Sequence, residues 1–312
     1  MSISDDKTND VTPEFTFSGV TSTDSVFIVT TQDSNTDTVG SGLASSTSID
    51  MTTSDLSVVP ISYNDGSITI KGYAMDIAGN TSDISASASL IITLDTSEPT
   101  APTSVVLQSG SDSGISTTDR LTNDTTPTFT IEGVTSTDSV LLIIDGLTAS
   151  SGIASSTSID LNISSVLTDG SYTVSTQTID VAGNISTATV SDTLLRIDTQ
   201  APSKPSAPDL QASSDSGFLD TDNVTNITTP VFNLTGLSST IDSLALFVDG
   251  ISNTDSIMSQ INSSTLRLEN ALIHGVHNIA IVAIDSAGNV SDTSNTVSIT
   301  VDLQQPALEP SI

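Results

Sequence analysis

The sequence predicts an all-β chain built from three tandem copies of one domain of about 100 residues. Three observations carry this. First, a loop of the form Asp-x-Ala-Gly-Asn recurs at Asp76, Asp180 and Asp285, and its glycines, Gly79, Gly183 and Gly288, lie 104 and 105 residues apart. Second, an aspartate ahead of a proline-containing linker recurs at Asp95, Asp198 and Asp302, in steps of 103 and 104. Third, short runs alternate apolar with polar residues between Gly, Asp and Asn turns, and no window carries an apolar stripe at helical period. The copies are bounded at residues 1–96, 97–200 and 201–312.

The middle copy is complete and sets the pattern. Pro102 to Leu107 reads as a first strand, followed by a long polar loop from Gln108 to Thr125. Thr128 to Ile131 alternates and is broken by Gly133, and Ser139 to Ile144 is an apolar strand closed by a turn at Asp145-Gly146. One or two weaker strands fall between Ile153 and Ile163. Asp169-Gly170 then turns the chain into Ser171 to Ile179, and the Ala-Gly-Asn loop leads to Ala188 to Ile197. About seven strands in ~100 residues, with turns every 8–12, is the pattern of an immunoglobulin-like β-sandwich. Copy three follows it, with Val231 to Leu234, Ser243 to Val248 and Val276 to Ile284. Copy one begins inside the polar loop, lacks the first strand, and carries additional residues after its third strand. The expected architecture is three sandwiches end to end as a rod, with cores of Val, Ile and Leu and few aromatics.

Composition narrows the function. The 312 residues carry a formal net charge of −31, which excludes a nucleic-acid partner held through phosphates and disfavours anionic lipid. No run reaches membrane-spanning length, so no membrane insertion is expected. Five of the 37 acidic residues are Glu and the rest Asp. A short, stiff carboxylate suits turns and oxygen-rich metal sites. Cysteine is absent, so the domains are braced by core packing, metal ions or both. Met1 is followed at once by polar residues and joins the repeat partway through, as expected of a fragment cut from a longer exported chain.

In a seven-stranded sandwich the loops collect at two ends. The trailing end of copy two receives Asp112, Asp119 and Asp124 from the polar loop, the turn residues Asp145 and Asp169, and Asp198. The leading end of copy three presents Asp285 and Asp242. Crowded carboxylates repel one another, and a divalent cation with hard oxygen ligands relieves this, Ca2+ better than Zn2+ or Mg2+. The ligands expected between copies two and three are drawn from Asp112, Asp119, Asp198 and Asp285, and between copies one and two from Asp5, Asp95 and Asp180, with Asn9. Asp76 and Asp302 would serve the outer ends, and Asp215 and Asp222 complete the set in copy three. The run Asp33-Ser34-Asn35-Thr36-Asp37 has alternate oxygen side chains, but Thr38 stands where an EF-hand loop needs glycine; a polar hairpin tip is the competing reading.

The D-x-A-G-N-x-S loop, the D-T-x-x-P linker, SDSG, and the T-N-D-x-T-P approach to the second strand resemble the bacterial immunoglobulin-like repeats of giant type I-secreted adhesins. The resemblance covers essentially the whole chain. It implies secreted, surface-retained rods stiffened by calcium, monomeric, touching neighbouring repeats of the same chain and serving attachment to a host cell-surface glycan or receptor. Copy three departs from the pattern at Thr225-Asn226-Ile227 and in its DLQQP linker.

Catalysis finds no support. His274 and His277 flank Gly275 at a turn, with no nucleophile and orienter suggested beside them; a turn residue and a surface residue are expected. No nucleophile elbow or phosphate loop occurs. The asparagine of the Ala-Gly-Asn loop is expected to close the turn with left-handed backbone. Three classes compete: a structural spacer, a repeat that itself binds a host glycan or receptor, and an accessory module of a polysaccharide-degrading enzyme.

Overall fold

The computed structural model describes residues 7–57, 63–237, 241–259 and 264–306, with backbone alone for Asp242 and for residues 252–259. Every regular element among them is a β-strand. Copy one holds β1 (Lys7–Thr8), β2 (Glu14–Ser18), β3 (Ser25–Gln32), β4 (Asn35–Leu43), β5 (Ser48–Thr52), β6 (Gly66–Met75) and β7 (Leu90–Leu94). They make a two-stranded sheet, β2-β5, and a five-stranded sheet ordered β1-β7-β6-β3-β4.

Copy two holds β8 (Ser104–Leu107), β9 (Leu121–Thr122), β10 (Thr128–Glu132), β11 (Ser139–Ile144), β12 (Leu147–Ile153), β13 (Ser158–Asn162), β14 (Gly170–Tyr172), β15 (Val174–Ile179), β16 (Thr189–Val190) and β17 (Leu195–Ile197). Copy three holds β18 (Asp209–Leu210), β19 (Val224–Thr225), β20 (Val231–Asn233), β21 (Ile241–Val248), β22 (Ile251–Ser259), β23 (Thr265–Arg267), β24 (Gly275–Asp285) and β25 (Val297–Val301). Its two sheets are ordered β18-β20-β23 and β19-β25-β24-β21-β22. The short sheet of copy two has the same plan, β13-β10-β8, while its long sheet is split in two, β12-β11-β15-β16 and β14-β17-β9.

Most expected strands are present, but in copy two Ser171 to Ile179 is divided into β14 and β15, Ala188 to Ile197 into β16 and β17, and β12 precedes the region where the weaker strands were expected; there are three further differences. The polar loop after the first strand contains a strand of its own. β9 and β19 run parallel to the last strand of their copy, pairing Thr122 with Ile197 and Thr225 with Val301, as β1 pairs with β7 in copy one. Two residues are too few to show a period. What holds them is a buried threonine: the Thr122 hydroxyl donates to the Ser111 carbonyl at 2.6 Å. Next, the additional residues of copy one are a hairpin, not an ion loop. β3 and β4 pair antiparallel through Gln32 and Asn35, and Asp33 and Ser34 turn between them at φ 48° and 73°, the left-handed pair of a type I′ turn. Finally, Asp242 lies within β21 rather than before it.

The chain divides into two compact units. One comprises Met1–Val105, Thr130–Leu161 and Ser175–Val190, and the other Val106–Phe129, Asn162–Val174 and Ser191–Ile312. Each holds one outer copy and part of the middle one, so each linker between copies lies within a single unit.

Period-two alternation is what builds the cores: along β11, Val140, Leu142 and Ile144 are buried while their neighbours are half-buried. In copy three the core gathers Leu210, Phe232, Leu244, Ile279, Ile281 and Ile299. In copy one it gathers Val26, Ile28, Leu56, Ile68, Ile92 and Leu94, with Phe15 and Phe17 only partly buried against it. The buried Tyr63 hydroxyl is satisfied by Thr30, 2.6 Å from its Oγ1; burial raises the phenol's pKa. Phe232→Ala removes a side chain of zero exposure and should cost about 3–5 kcal/mol in urea unfolding of copy three. Phe15→Ala, at the same repeat position but half-open, should cost copy one distinctly less.

Candidate functional site at the junctions between copies

The Ala-Gly-Asn loops are built around their aspartates. Asp180 Oδ1 accepts the Gly183 and Asn184 N–H groups at 2.8 and 2.9 Å, and its Oδ2 accepts the Asn184 amide at 2.9 Å. Asp285 likewise accepts the Asn289 N–H at 2.9 Å and its amide at 3.0 Å. In copy one the Asn80 amide, at 2.7 Å, and then the Asn80 N–H hold the Asp76 carboxyl below its usual range. The left-handed residue of each loop is the glycine, at φ 83°, 100° and 89° for Gly79, Gly183 and Gly288. The expectation of left-handed asparagines is therefore corrected, because glycine takes that conformation at no steric cost.

Freed from the turn, the asparagine has another task. The Asn184 amide also donates to the backbone carbonyl of Asp95 at 2.8 Å, and the Asn289 amide donates to that of Asp198 at 2.8 Å. Asp95 and Asp198 are thus each bound through the backbone carbonyl to the loop of the following copy. Between copies one and two, the Asn9 N–H adds a bond to the Ala182 carbonyl. Between copies two and three, the Ser113 hydroxyl donates to the Ala287 carbonyl at 2.6 Å. Gly114 sits so close that a Cβ there would lie 2.1 Å from the Ser286 carbonyl oxygen, so this junction admits only glycine.

The carboxylates themselves stay apart. Among the described residues no group of three or more acidic or histidine side chains converges as a metal site. Asp198 and Asp302 accept the N–H of Gln200 and Gln304, at 3.0 and 2.9 Å, and Asp95 accepts that of Ser97 at 3.3 Å. Asp119 and Asp222, both exposed, cap Leu121 and Val224. Asp5 lies outside the described residues.

Two candidates stand out. Asp112 and Asp215 are 2% and 4% exposed. In each, Oδ2 accepts one N–H, from Arg120 at 3.2 Å and from Asn223 at 3.1 Å, while Oδ1 is buried with no hydrogen-bond partner. Burial, and to a smaller degree the charge of Asp119, raise the Asp112 pKa against the pull of the Arg120 N–H. Sequence reasoning overlooked Asp138, which is 5% exposed and whose pKa is raised by burial and by the charge of Asp180. A polar residue before an apolar strand gives no hint of burial.

Of the histidines, His277 is no surface residue but lies in β24, 7% exposed, because it occupies an inward position of the alternation. Its Nδ1 is 2.8 Å from Asp249 and its Nε2 is 2.9 Å from the Ile273 carbonyl. Both partners are acceptors, so the doubly protonated ring fits. His274 faces Asp302 at 3.6 Å.

Residues 99–199 and 201–303 each match the profile of the bacterial Ig-like domain. The chain belongs to the bacterial Ig-like domain family. No curated protein matches it significantly. Solved structures similar to these bacterial Ig-like repeats include fibronectin(III)-like modules of Clostridium thermocellum CbhA, at 15% identity and TM-score 0.42, covering 66% of this chain and 100% of that one. A Ca2+-stabilized adhesin with which an Antarctic bacterium binds ice is 15% identical at TM-score 0.37, covering 93% and 68%. A biofilm-associated protein's BSP domain is 10% identical at TM-score 0.21, covering 92% and 61%.

Asn289→Ala strips donors from a buried carboxylate and from the carbonyl of Asp198. It should destabilise the bacterial Ig-like domain at residues 201–303 by about 1–3 kcal/mol in urea unfolding. A second expectation concerns pH. Burial lowers the His277 pKa, but the bonds to Asp249 and Ile273 and the Asp249 charge outweigh it, and the net shift is upward. A group raised in the folded state contributes fully below its unfolded pKa and loses that contribution as pH rises through the folded value. Repeat three should therefore lose melting temperature as pH rises from about 6.5. His277→Tyr should abolish that slope, since Tyr172 at the same position of repeat two donates to the Thr168 carbonyl at 2.8 Å.

Proposed function

We propose that the chain is a non-catalytic segment of a large secreted adhesin of the bacterial cell surface. In this reading it is a rod of three repeats, 1–96, 97–200 and 201–312, that calcium stiffens and that holds a binding tip toward host epithelial cells. Family membership supports the repeat architecture. The motif resemblance extends to type I-secreted adhesins, including the giant non-fimbrial adhesin of Salmonella. Its partners are then neighbouring repeats of the same chain and, through the tip, a host glycan or receptor.

The observation that carries calcium is the orphaned Oδ1 of Asp112 and Asp215. A buried carboxylate oxygen without a donor is costly in a net charge of −31. The residues present fit a hard cation: an unpartnered carboxylate oxygen, a second carboxylate (Asp119 or Asp222) on the same loop, and no cysteine as a soft ligand. The orphan recurs in Asp215, at the same position of the polar loop of copy three. Asp138 and Asp180 form a second acidic pair at the leading end of copy two. Asp95, Asp198, Asp285, Asp76 and Asp302 would contribute through carbonyls or the outer oxygens of their carboxylates. A bound ion would supply charge compensation, with no chemistry of its own. Low calcium inside the cell would leave the acidic chain loose for export, and millimolar calcium outside would lock it.

At extracellular-module affinities of about 10⁻⁴–10⁻³ M, low-millimolar calcium would add roughly 1–2 kcal/mol per site. Asp112→Asn separates this from a purely structural role. In chelator the variant should melt at or above the parent, because a buried charge is gone; in about 2 mM calcium it should melt below it. Identical melting of the parent with calcium and with EDTA would sink the proposal.

A further inference from the structure

The long sheet of copy one carries a pair of rings that its sisters lack. Phe27 on β3 and Tyr73 on β6 stand directly opposite each other in the antiparallel register, facing away from the core. Their rings stack with centroids 4.8 Å apart and planes 13° from parallel, and both are half-buried. At the same positions copy two has Leu141 and Gln177, and copy three Ala245 and Val282. Leu141 and Gln177 are half-buried as well, although β8 completes the short sheet of copy two. The openness of the face is therefore a property of the long sheet, whereas the aromatic pair belongs to copy one. In a chain with seven Phe, three Tyr and no Trp, two rings set outside the core contribute little to its packing.

The same face has a second feature peculiar to copy one. Its β3–β4 hairpin turns at Asp33-Ser34 and is two residue pairs longer than the hairpins that turn at Asp145-Gly146 and Asp249-Gly250. The added length sets Thr31 opposite Thr36, their hydroxyls 3.0 Å apart, and Thr31 also faces Thr69 of β6. A row of three threonines thus crosses the sheet four residues from the aromatic pair, about 13–14 Å away.

Charge is distributed unevenly around this sandwich. Asp37 is the one acid in the five strands of the long sheet, and it pairs with the buried Thr30, on the opposite face. The short sheet instead turns Glu14 and Asp50 outward, both exposed. Lys71 lies between the rings and the threonines, opposite Val29. Close by, the exposed Asp83 is held below its usual pKa by the Ser85 hydroxyl and N–H and, to a smaller degree, by the Lys71 charge. Lys71 is thereby balanced, and Lys7 lies beyond β7 on β1.

We infer that the outward face of the long sheet of copy one is a binding site for an uncharged oligosaccharide. An aromatic π-face is negative and attracts the slightly positive C–H face of a sugar ring. Phe27 has room for one, because its neighbour on β4 is the small Ser41. Hydroxyls further along the ligand exchange hydrogen bonds with Thr31, Thr36 and Thr69, and the distance between the two subsites calls for more than one ring. A chain of net charge −31 repels acidic glycans, and the balanced Lys71 offers them no compensation. The inference goes beyond the rod reading, since a repeat of the shaft itself holds the ligand.

The test is saturation-transfer NMR on the whole 312-residue chain in about 2 mM calcium, with lacto-N-neotetraose, cellotetraose and maltotetraose as probes. At least one should saturate, with transfer strongest at its ring C–H protons. The double exchange Phe27→Leu/Tyr73→Gln installs the residues that copy two carries, so it should melt close to the parent while binding falls at least tenfold. Thr31→Val with Thr36→Val keeps shape but removes hydroxyls, and should weaken binding about threefold or more. No saturation by any probe up to about 10 mM would overturn the inference. Binding that survives the double exchange would do the same, as would tighter binding of a sulfated form of the same probe. Melting in the binding buffer verifies that each variant is folded, and the calcium proposal is judged by melting with and without EDTA, so either can fail alone.

Discussion

One side-chain amide ties each sandwich to the one before it. Asn184 and Asn289 each divide their two N–H groups between the aspartate of their own loop and the backbone carbonyl of the preceding linker aspartate. The bond is short-range and directional, and it sits in a partly buried setting where a lost partner costs more than the bond contributes. The same close approach of two backbones seats the Ser113 hydroxyl on Ala287 and makes glycine obligatory at Gly114.

Closeness of this kind has an electrostatic consequence. The loops that meet are acidic on both sides, yet most of their carboxylates are already engaged by N–H groups of their own loop. That local capture keeps them from converging, and it leaves two buried oxygens, on Asp112 and Asp215, outside the accounting. An orphan recurring at the same position of two copies, in a loop stapled by a buried threonine hydroxyl, is a property of the repeat and not an accident of one contact. The sandwiches are modest in aromatic content, with 3% of residues Phe or Tyr, so loop ends of this sort hold a larger share of the stability than they would in a domain with a heavy core.

Much of this was legible beforehand. Most strands, the turn at Asp145-Gly146, the all-β character of the described residues and the three landmarks at Asp76, Asp180 and Asp285 follow from period-two alternation and from turn chemistry, both of which are local. The candidate aspartates were found because Asp is used so much more than Glu. What could not be found were roles set by burial. Asp138 and His277 look in sequence like any polar residue beside a strand, and Asp112 looks no different from Asp119. Only packing separates the buried member of each pair from the exposed one.

The sequence by itself determined a chain of repeated all-β modules with acidic ends, because repetition, alternation and charge are written residue by residue. The tertiary structure decided which atoms of those ends are used. It assigned the asparagine amide to the preceding linker and left one oxygen of Asp112 and Asp215 unpartnered. Each of these depends on residues about 90 or more positions apart, or on a neighbour's presence or absence, and local patterning carries no information about either.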